Sequence, residues 1–410
     1  MRPNVKIALG NGQLGRQVDS ADGTALLVVG LPTDYLASIL ANKFFSRRDA
    51  EVAGFTEAAD AEHNALAWEH IKDFYEEAGE GTPLYVLPFD NTLTLEDVFT
   101  ASEGVNAALL NLLQSEGGVI RIMAVALNPV LAEAAGVSGV TADLLAAVPL
   151  AQAFAVAEFN RFRPIDVVLE GRAFSATAAA AYDLRTLASN SVAVTIGRDQ
   201  LRVAELVASG VSVASKFAAV GGVLGRLAAS PVQRNIGRVR SGKLKGITQA
   251  SLSGGSLVSS LADTSLDVLT DKAYIFPLIH PGKDGFFYND DPTCVSVADD
   301  YGYLKDSRVI KKAARIARAI YLEELNDDVS VDPTTGKLGA IEIARFQNVL
   351  ESAIETAMVV TGEAVAVSVY VDPNQNVTAT DKIKAVVRIT KKATAKFITA
   401  TVEFFNPFNS

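Results

Sequence analysis

Three glycines at the spacing of a phosphate-binding turn, Gly10, Gly12 and Gly15, follow an apolar run in VKIALGNGQLG. A dinucleotide loop of this form needs a strand, a tight turn and then a helix whose N-terminus meets the pyrophosphate. Here Asp19, Ser20, Asp22 and Gly23 follow, all turn formers, and the first long apolar strand begins only at Thr24. The spacing therefore reads as a short strand carrying Val5, Ile7 and Leu9 on a glycine-rich connector, with no cofactor. The histidines are His63, His70 and His280. His63 and His70 lie two helical turns apart and would share one face of a helix. Metal ligands on adjacent turns sit three or four apart, so this pair does not read as a metal site. His280 stands in a Pro/Gly/aromatic loop and reads as a loop histidine. Asn289, Asp290, Asp291, Asp299 and Asp300 form a polar cluster without the spacing of a calcium loop. No G-x-S-x-G elbow, Walker loop or HExxH is present. The single cysteine, Cys294, excludes an internal disulfide framework and a Cys-rich zinc site, and reads as a chain folded in a reducing compartment.

Elements positioning these residues are easier to read than any site. The chain has 410 residues, 49% hydrophobic and 20% charged, enough for two or three domains with a large core. The formal net charge of −10 argues against a duplex-DNA binder. No window reads as a membrane span, and the N-terminus lacks the apolar core of a signal peptide. Apolar runs at 24–30, 83–89, 119–129, 164–171 and 191–197 read as buried strands. Helical stretches are expected between them, at 31–45, 49–80, 93–118, 141–163 and 177–189, and again up to residue 230. Continuous apolar strands alternating with helices mean a parallel sheet covered on both faces. Residues 21–295 are therefore expected to form a three-layer α/β/α domain.

The rhythm changes after residue 296. Residues 307–325 read as a helix with Val309, Ala313, Ile316 and Ile320 on one stripe and Lys311, Lys312, Arg315 and Arg318 away from it, as a solvated basic face. A second helix over 340–359 aligns Ile343, Phe346, Leu350, Ile354 and Ala357. Strands are expected at 364–371, 382–390 and 396–405, the first with Val365, Val367, Val369 and Val371 on one face. This is a small α+β domain, residues 296–395, followed by a terminal strand in 396–410. Charge is also segregated. Residues 49–80 hold ten carboxylates against Lys72, whereas Lys216, Arg226, Arg234, Arg238, Arg240, Lys243 and Lys245 form a stretch without an acid. Either block suits a solvated face or complementary patches that register one subunit on another. The basic block lacks the aromatics that nucleic-acid stacking needs.

The two ends carry apolar strands whose edges need a partner. They can pair with their own sheet or add to a neighbour's, and head-to-tail exchange of that kind gives an open polymer. SRVIKKAARIARAIYLEEL, the loop from Asp332 to Gly336, a second helix, VSVYVDPNQNVTATDKIKAVVRI and FITATVEFFNP follow the order of a known C-terminal domain. VKIALGNGQLG followed by ADGTALLVVG matches the corresponding N-terminus. In both respects the chain resembles the sheath proteins of contractile phage tails and related injection machines, most closely a divergent branch of Bacteroidetes phages.

The resemblance implies a subtilisin-like but non-catalytic middle domain in residues 21–295 and an inner, tube-facing C-terminal domain. It implies stacked hexameric rings around an inner tail tube protein, with a baseplate and a tail terminator as further partners. It implies no direct nucleic acid and no membrane insertion, and a virion assembled in the host bacterial cytoplasm. Residues 1–20 become a strand-donating arm, Val5, Ile7 and Leu9, hinged at Gly10, Gly12 and Gly15. Phe397, Ile398, Val402 and Phe404 become the C-terminal arm. The acceptor strands carry Val365, Val367, Val369, Ile383, Val387 and Ile389. Lys311, Lys312, Arg315 and Arg318 become tube-facing candidates. The competing readings are a hydrolase on a similar α/β domain, against which stands the absence of a local catalytic signature, and another virion component such as a tube protein, which would be shorter and mostly β.

Overall fold

The computed structural model describes residues 21–39, 42–100, 105–128 and 137–404. It divides the chain into two compact units, Met1–Ala319 and Ile320–Ser410. The arm residues Val5, Ile7 and Leu9 and the hinge glycines Gly10, Gly12 and Gly15 lie outside the described residues.

The first unit begins with β1 (Ala25–Leu31), α1 (Thr33–Leu36), β2 (Lys43–Phe44), α2 (Arg47–Val52), α3 (Glu57–His63), α4 (Ala67–Ala78) and β3 (Leu84–Asp90). It continues through α5 (Leu95–Phe99), α6 (Val105–Ser115), β4 (Ile122–Ala126), α7 (Ala142–Asn160), β5 (Asp166–Glu170), β6 (Val192–Thr195) and β7 (Gly197–Asp199). Then come α8 (Gln200–Ala208), α9 (Val220–Ala229), β8 (Ala250–Leu252), α10 (Asp263–Asp271), β9 (Tyr274–Ile275), β10 (Pro277–Ile279), β11 (Phe286–Tyr288) and α11 (Leu304–Leu322). A seven-stranded sheet runs in the order β2-β3-β1-β4-β5-β6-β9. Its strands are parallel except β2, which lies antiparallel to β3 at the edge. All residues of β1, β4, β5 and β6 are buried, as strands covered on both faces must be.

Alternation sorts these side chains into two cores. Leu26, Val28, Met123, Val125, Val167 and Leu169 pack on one face with α5, α6, α7 and α10. Leu27, Val29, Ile122, Ala124 and Val168 pack on the other with α2, α4 and α9. The α4–α9 contact is made close by glycine. A Cβ at Gly221 would overlap the His70 carbonyl oxygen, and one at Gly225 the Phe74 carbonyl oxygen. These two glycines, one turn apart, face two residues one turn apart on α4, so the helix backbones touch.

Several expected helices are shorter or absent. The helix read over 31–45 is the single turn α1 followed by the edge strand β2. The acidic stretch is three helices, and Asn64, in the left-handed conformation at φ 50, ends α3. His63 and His70 therefore do not share a helix face. The alanine-rich stretch 177–189 holds only a short 3-10 turn at Leu184–Leu187. Lys272 Nζ donates to the carbonyls of Ala178, Ala179 and Ala181 at 3.1, 2.8 and 2.6 Å, supplying externally what a helix supplies internally. α7 is long and apolar enough to cross a membrane by length and composition, against the sequence expectation. It is a core helix: Leu144, Ala147, Val148 and Ala151 are buried, and the buried Glu158 is clasped by Arg161 at 2.8 Å and Arg163 at 2.7 Å.

The second unit holds α12 (Ala340–Ile354), a π-helical turn (Glu355–Val359), β12 (Ala364–Val371), α13 (Val377–Thr380) and β13 (Ala385–Lys391). β12 and β13 form an antiparallel ribbon in which Val369 faces Val387 and Val367 faces Ile389. Leu338, Phe346, Val371 and Val377 form its core, with Ile343 and Ile383 packed against them. A bulge between Ala364 and Ala366 breaks the expected alternation. Val365 turns outward, 54% exposed, while Ala364, Val369 and Val371 are buried. The third expected strand, 396–405, takes no place in any sheet among the described residues.

Candidate functional site

A catalytic reading centres on the carboxyl ends of the strands, where α/β sheets bind ligands. There His70, Asn128, Arg172 and Glu170 meet, all buried. His70 Nε2 lies 3.2 Å from Asn128 Nδ2, and Arg172 donates to Asn128 Oδ1. Burial, aided by the Arg172 charge, holds the imidazole down at about 3, so it is neutral. The nearby Ser253 hydroxyl is spent on structure: it donates to the Gly171 carbonyl at 2.6 Å and accepts from the Phe174 amide at 3.1 Å. His63 stacks on Tyr35 and pairs with Asp34 at 3.2 Å. His280 packs against Phe287. Cys294 is buried, which pushes its thiol up to about 12. Asp290 and Asp291 both accept from Asn235 Nδ2, and Asp291 also accepts from the Lys305 amide at 3.1 Å. These carboxylates tie loops together. Among the described residues no cluster of three His, Cys, Asp or Glu groups is placed to hold a metal.

The basic helix departs from its sequence reading. α11 crosses the amino ends of the central strands, and its charges serve that seam. Lys311 is buried and donates to Asp166 Oδ1 at 2.6 Å, the Ile165 carbonyl at 2.9 Å and Ser191 Oγ at 2.9 Å. Burial pulls its ammonium below the ordinary lysine value, against the attraction of Asp166. Four residues earlier, Ser307 donates to the same Asp166 oxygen at 2.7 Å. Four residues later, Arg315 pairs with Asp22 just before β1, and Lys312 reaches the other Asp22 oxygen at 2.7 Å. Burial alone would raise the Asp22 carboxyl, but the Lys312 hydrogen bond and the Arg315 charge hold it below the usual range. Residues 307, 311 and 315 form one stripe of the helix, and it faces the ends of β5, β6 and β1. Of the four tube-facing candidates, Lys311 is thus removed from the surface and Lys312 and Arg315 are mostly covered. Arg318 alone is exposed, with its guanidinium stacked on Phe162.

The segregated charge blocks meet inside the chain. Arg226 of the basic block pairs with Glu77 of the acidic block at 3.2 Å, and the Lys245 amide donates to Glu77 at 2.5 Å. Arg202 holds Glu69 at 2.7 Å and Glu57 at 2.8 Å. Arg238, Arg240, Lys243 and Lys245 remain exposed.

The ribbon and the segment beyond it form the remaining candidate site. Residues 397–404 show alternating apolar and polar character, and Phe397, Ile398, Val402 and Phe404 are 94%, 83%, 93% and 108% exposed. Among the described residues each long edge of the ribbon opposite the β12–β13 pairing lacks a strand partner. Sequence reasoning missed one residue at this edge: Glu351 of α12 accepts from the Val369 amide at 3.0 Å. It missed Asp22 and Asp166 as well, because their partners lie 293 and 145 residues away.

Two family models cover nearly the whole chain, the DUF2586 N-terminal domain over residues 2–292 and the DUF2586 C-terminal domain over residues 300–409. The chain belongs to the DUF2586 family. No curated protein sequence matches it. Solved structures show that the DUF2586 fold is that of contractile-system sheath proteins. The helical sheath of the anti-feeding prophage in its contracted state matches with TM-score 0.61 and 14% identity over 98% of both chains. A chain of the six-fold symmetrised anti-feeding prophage baseplate matches with TM-score 0.60 and 14% identity over 99% of both. The contracted PVC sheath complex of an extracellular contractile injection system matches with TM-score 0.57 and 11% identity, over 98% of this chain and 97% of that one. The two family models part between residues 292 and 300, whereas compactness divides this DUF2586 chain at 319/320, within α11.

Proposed function

We propose that the protein is a structural subunit of a contractile sheath and not an enzyme. It polymerises as stacked six-membered rings around an inner tube, and shortens to drive the tube through a target envelope. The observation that carries this reading is the end-to-end likeness to the contracted anti-feeding prophage sheath, at 98% of both chains. The ribbon adds a physical means. Its open edges can take an extended strand from another copy, and residues 397–404 offer one at no cost to their own core. Residues 1–20 act as the second arm, pivoting at Gly10, Gly12 and Gly15. Residues 21–295 serve as the outer, non-catalytic subtilisin-like layer, and residues 296–395 face the tube. Of the basic candidates Arg318 is the one left to meet an acidic tube surface. A baseplate and a terminator bound the polymer in a phage-tail-like particle assembled in a bacterial cytoplasm.

Purification of the full chain and of a version lacking residues 396–410, followed by negative-stain electron microscopy, tests the reading. Hollow helical tubes from the full chain, alone or with its tube protein, and folded unassembled subunits from the truncation are expected. Monodisperse particles from both under every condition, with stoichiometric labelling by a serine-directed phosphonate, would return the molecule to the hydrolases.

A further inference from the structure

We infer that Glu351 is a gate on the strand-accepting edge of β12: its carboxylate holds the Val369 amide in the free subunit and yields that amide to an extended strand from a second copy. The inference rests on the sheath reading above. Val369 opposes Val387 across the ribbon, yet its amide donates to Glu351 Oε2 at 3.0 Å. In an antiparallel pair, successive residues point their amides to opposite edges. The Val369 amide therefore faces away from β13, and those of Val367 and Val371 face the same way.

An open row of amides and carbonyls invites pairing with any extended chain, and folded proteins guard such edges. The chemistry of the guard matters here. A carboxylate accepts but cannot donate, so Glu351 satisfies one amide and leaves the neighbouring carbonyls unpaired. It deters random pairing without completing a ladder. An incoming strand offers donors and acceptors together and replaces one hydrogen bond with several. The side chain is held at its post because Leu350 and Ile354, on either side of it in α12, are fully buried. The occupant is residues 397–404 of a second copy. There Ile398, Ala400, Val402 and Phe404 alternate with Thr399, Thr401 and Glu403, as a strand lying on a half-buried ribbon requires.

The test compares wild type, Glu351→Ala, Glu351→Gln and Glu351→Asp in the full-length chain, and Glu351→Ala in the chain lacking residues 396–410. Two readouts are needed: amide exchange at Val369 in the monomer, and the rate of polymer formation by light scattering and microscopy. In Glu351→Ala the Val369 amide should exchange about tenfold or more faster, and polymer should form several-fold faster. The gain should vanish in the truncated chain. Glu351→Gln, which keeps an acceptor, should resemble wild type, and Glu351→Asp, whose carboxylate falls short, should resemble alanine. Wild-type polymer with an unchanged rate in both Glu351→Ala and Glu351→Asp would overturn the gate and leave the sheath reading intact. No polymer from wild type, with or without tube protein, would overturn the sheath reading and the gate with it.

Discussion

Replacing Lys311 by methionine separates the seam described here from a solvated basic face. The substitution keeps the length of the aliphatic stem and removes the ammonium. Three hydrogen bonds are lost, at 2.6, 2.9 and 2.9 Å, and Asp166, 1% exposed, keeps only its Ser307 bond among those described to its side chain. Removing one partner of a buried pair costs about 3–5 kcal/mol, because the other charge stays behind in a medium that solvates it poorly. Little of this is cavity, since methionine nearly fills the same volume. The assay is denaturant unfolding followed by the fluorescence of Trp68, the chain's one tryptophan, which is buried in the core of the first unit. Asp166→Asn in the Lys311→Met background should recover much of the loss, since the carboxylate that Lys311 leaves behind is then neutral. A loss below about 1 kcal/mol, the range of exposed ion pairs, would refute the seam and restore the surface reading.

Further outcomes follow from other parts of the fold. Gly225→Ala should destabilise the first unit by about 1–3 kcal/mol, the usual cost of overpacking, because the new Cβ meets the Phe74 carbonyl; calorimetry reads the change. Cys294 should be inert to a thiol reagent at pH 8 in the native chain and react fully in denaturant, given its burial and its raised thiol value of about 12. Asp60 is fully buried, and that burial pushes its carboxyl up to about 8 from an ordinary value of 3.8. Between those values the folded chain holds a proton that the unfolded chain has released, so stability falls as pH rises through the window. Asp60→Asn should therefore gain on wild type steadily from pH 4 to pH 8 in unfolding experiments, and a constant difference would show that the carboxyl titrates normally.

The parallel sheet was legible because its central strands carry continuous apolar runs, as burial on both faces demands. β4, β5 and β6 fall within the runs read from the sequence, and β1 and β3 overrun theirs by one residue. The helices between them were less so. Residues 49–80 carry helix-forming composition throughout, and only the left-handed Asn64 marks the break after α3. Residues 177–189 look helical through alanine alone, but alanine brings no large side chain to bury, and Lys272 takes the carbonyls instead. Lys311 was misread for a different reason. Helical periodicity separates charged from apolar residues, yet it does not tell solvent from a buried carboxylate contributed by a distant strand. Val365 was placed on the wrong face because a bulge shifts the period by one residue, and periodicity does not announce it. Residues 397–404 read as a strand from their alternation, and among the described residues they join no sheet.

On the proposed function, copies of this chain are joined by strands added to the β12–β13 ribbon. Electron cryomicroscopy of the assembled polymer measures this directly. The expected result is a helical lattice in which residues 397–404 of one subunit are hydrogen-bonded along the ribbon of another, with the Glu351 carboxylate turned away from the Val369 amide. A lattice in which that segment folds onto its own subunit, leaving the ribbon two-stranded, would contradict it.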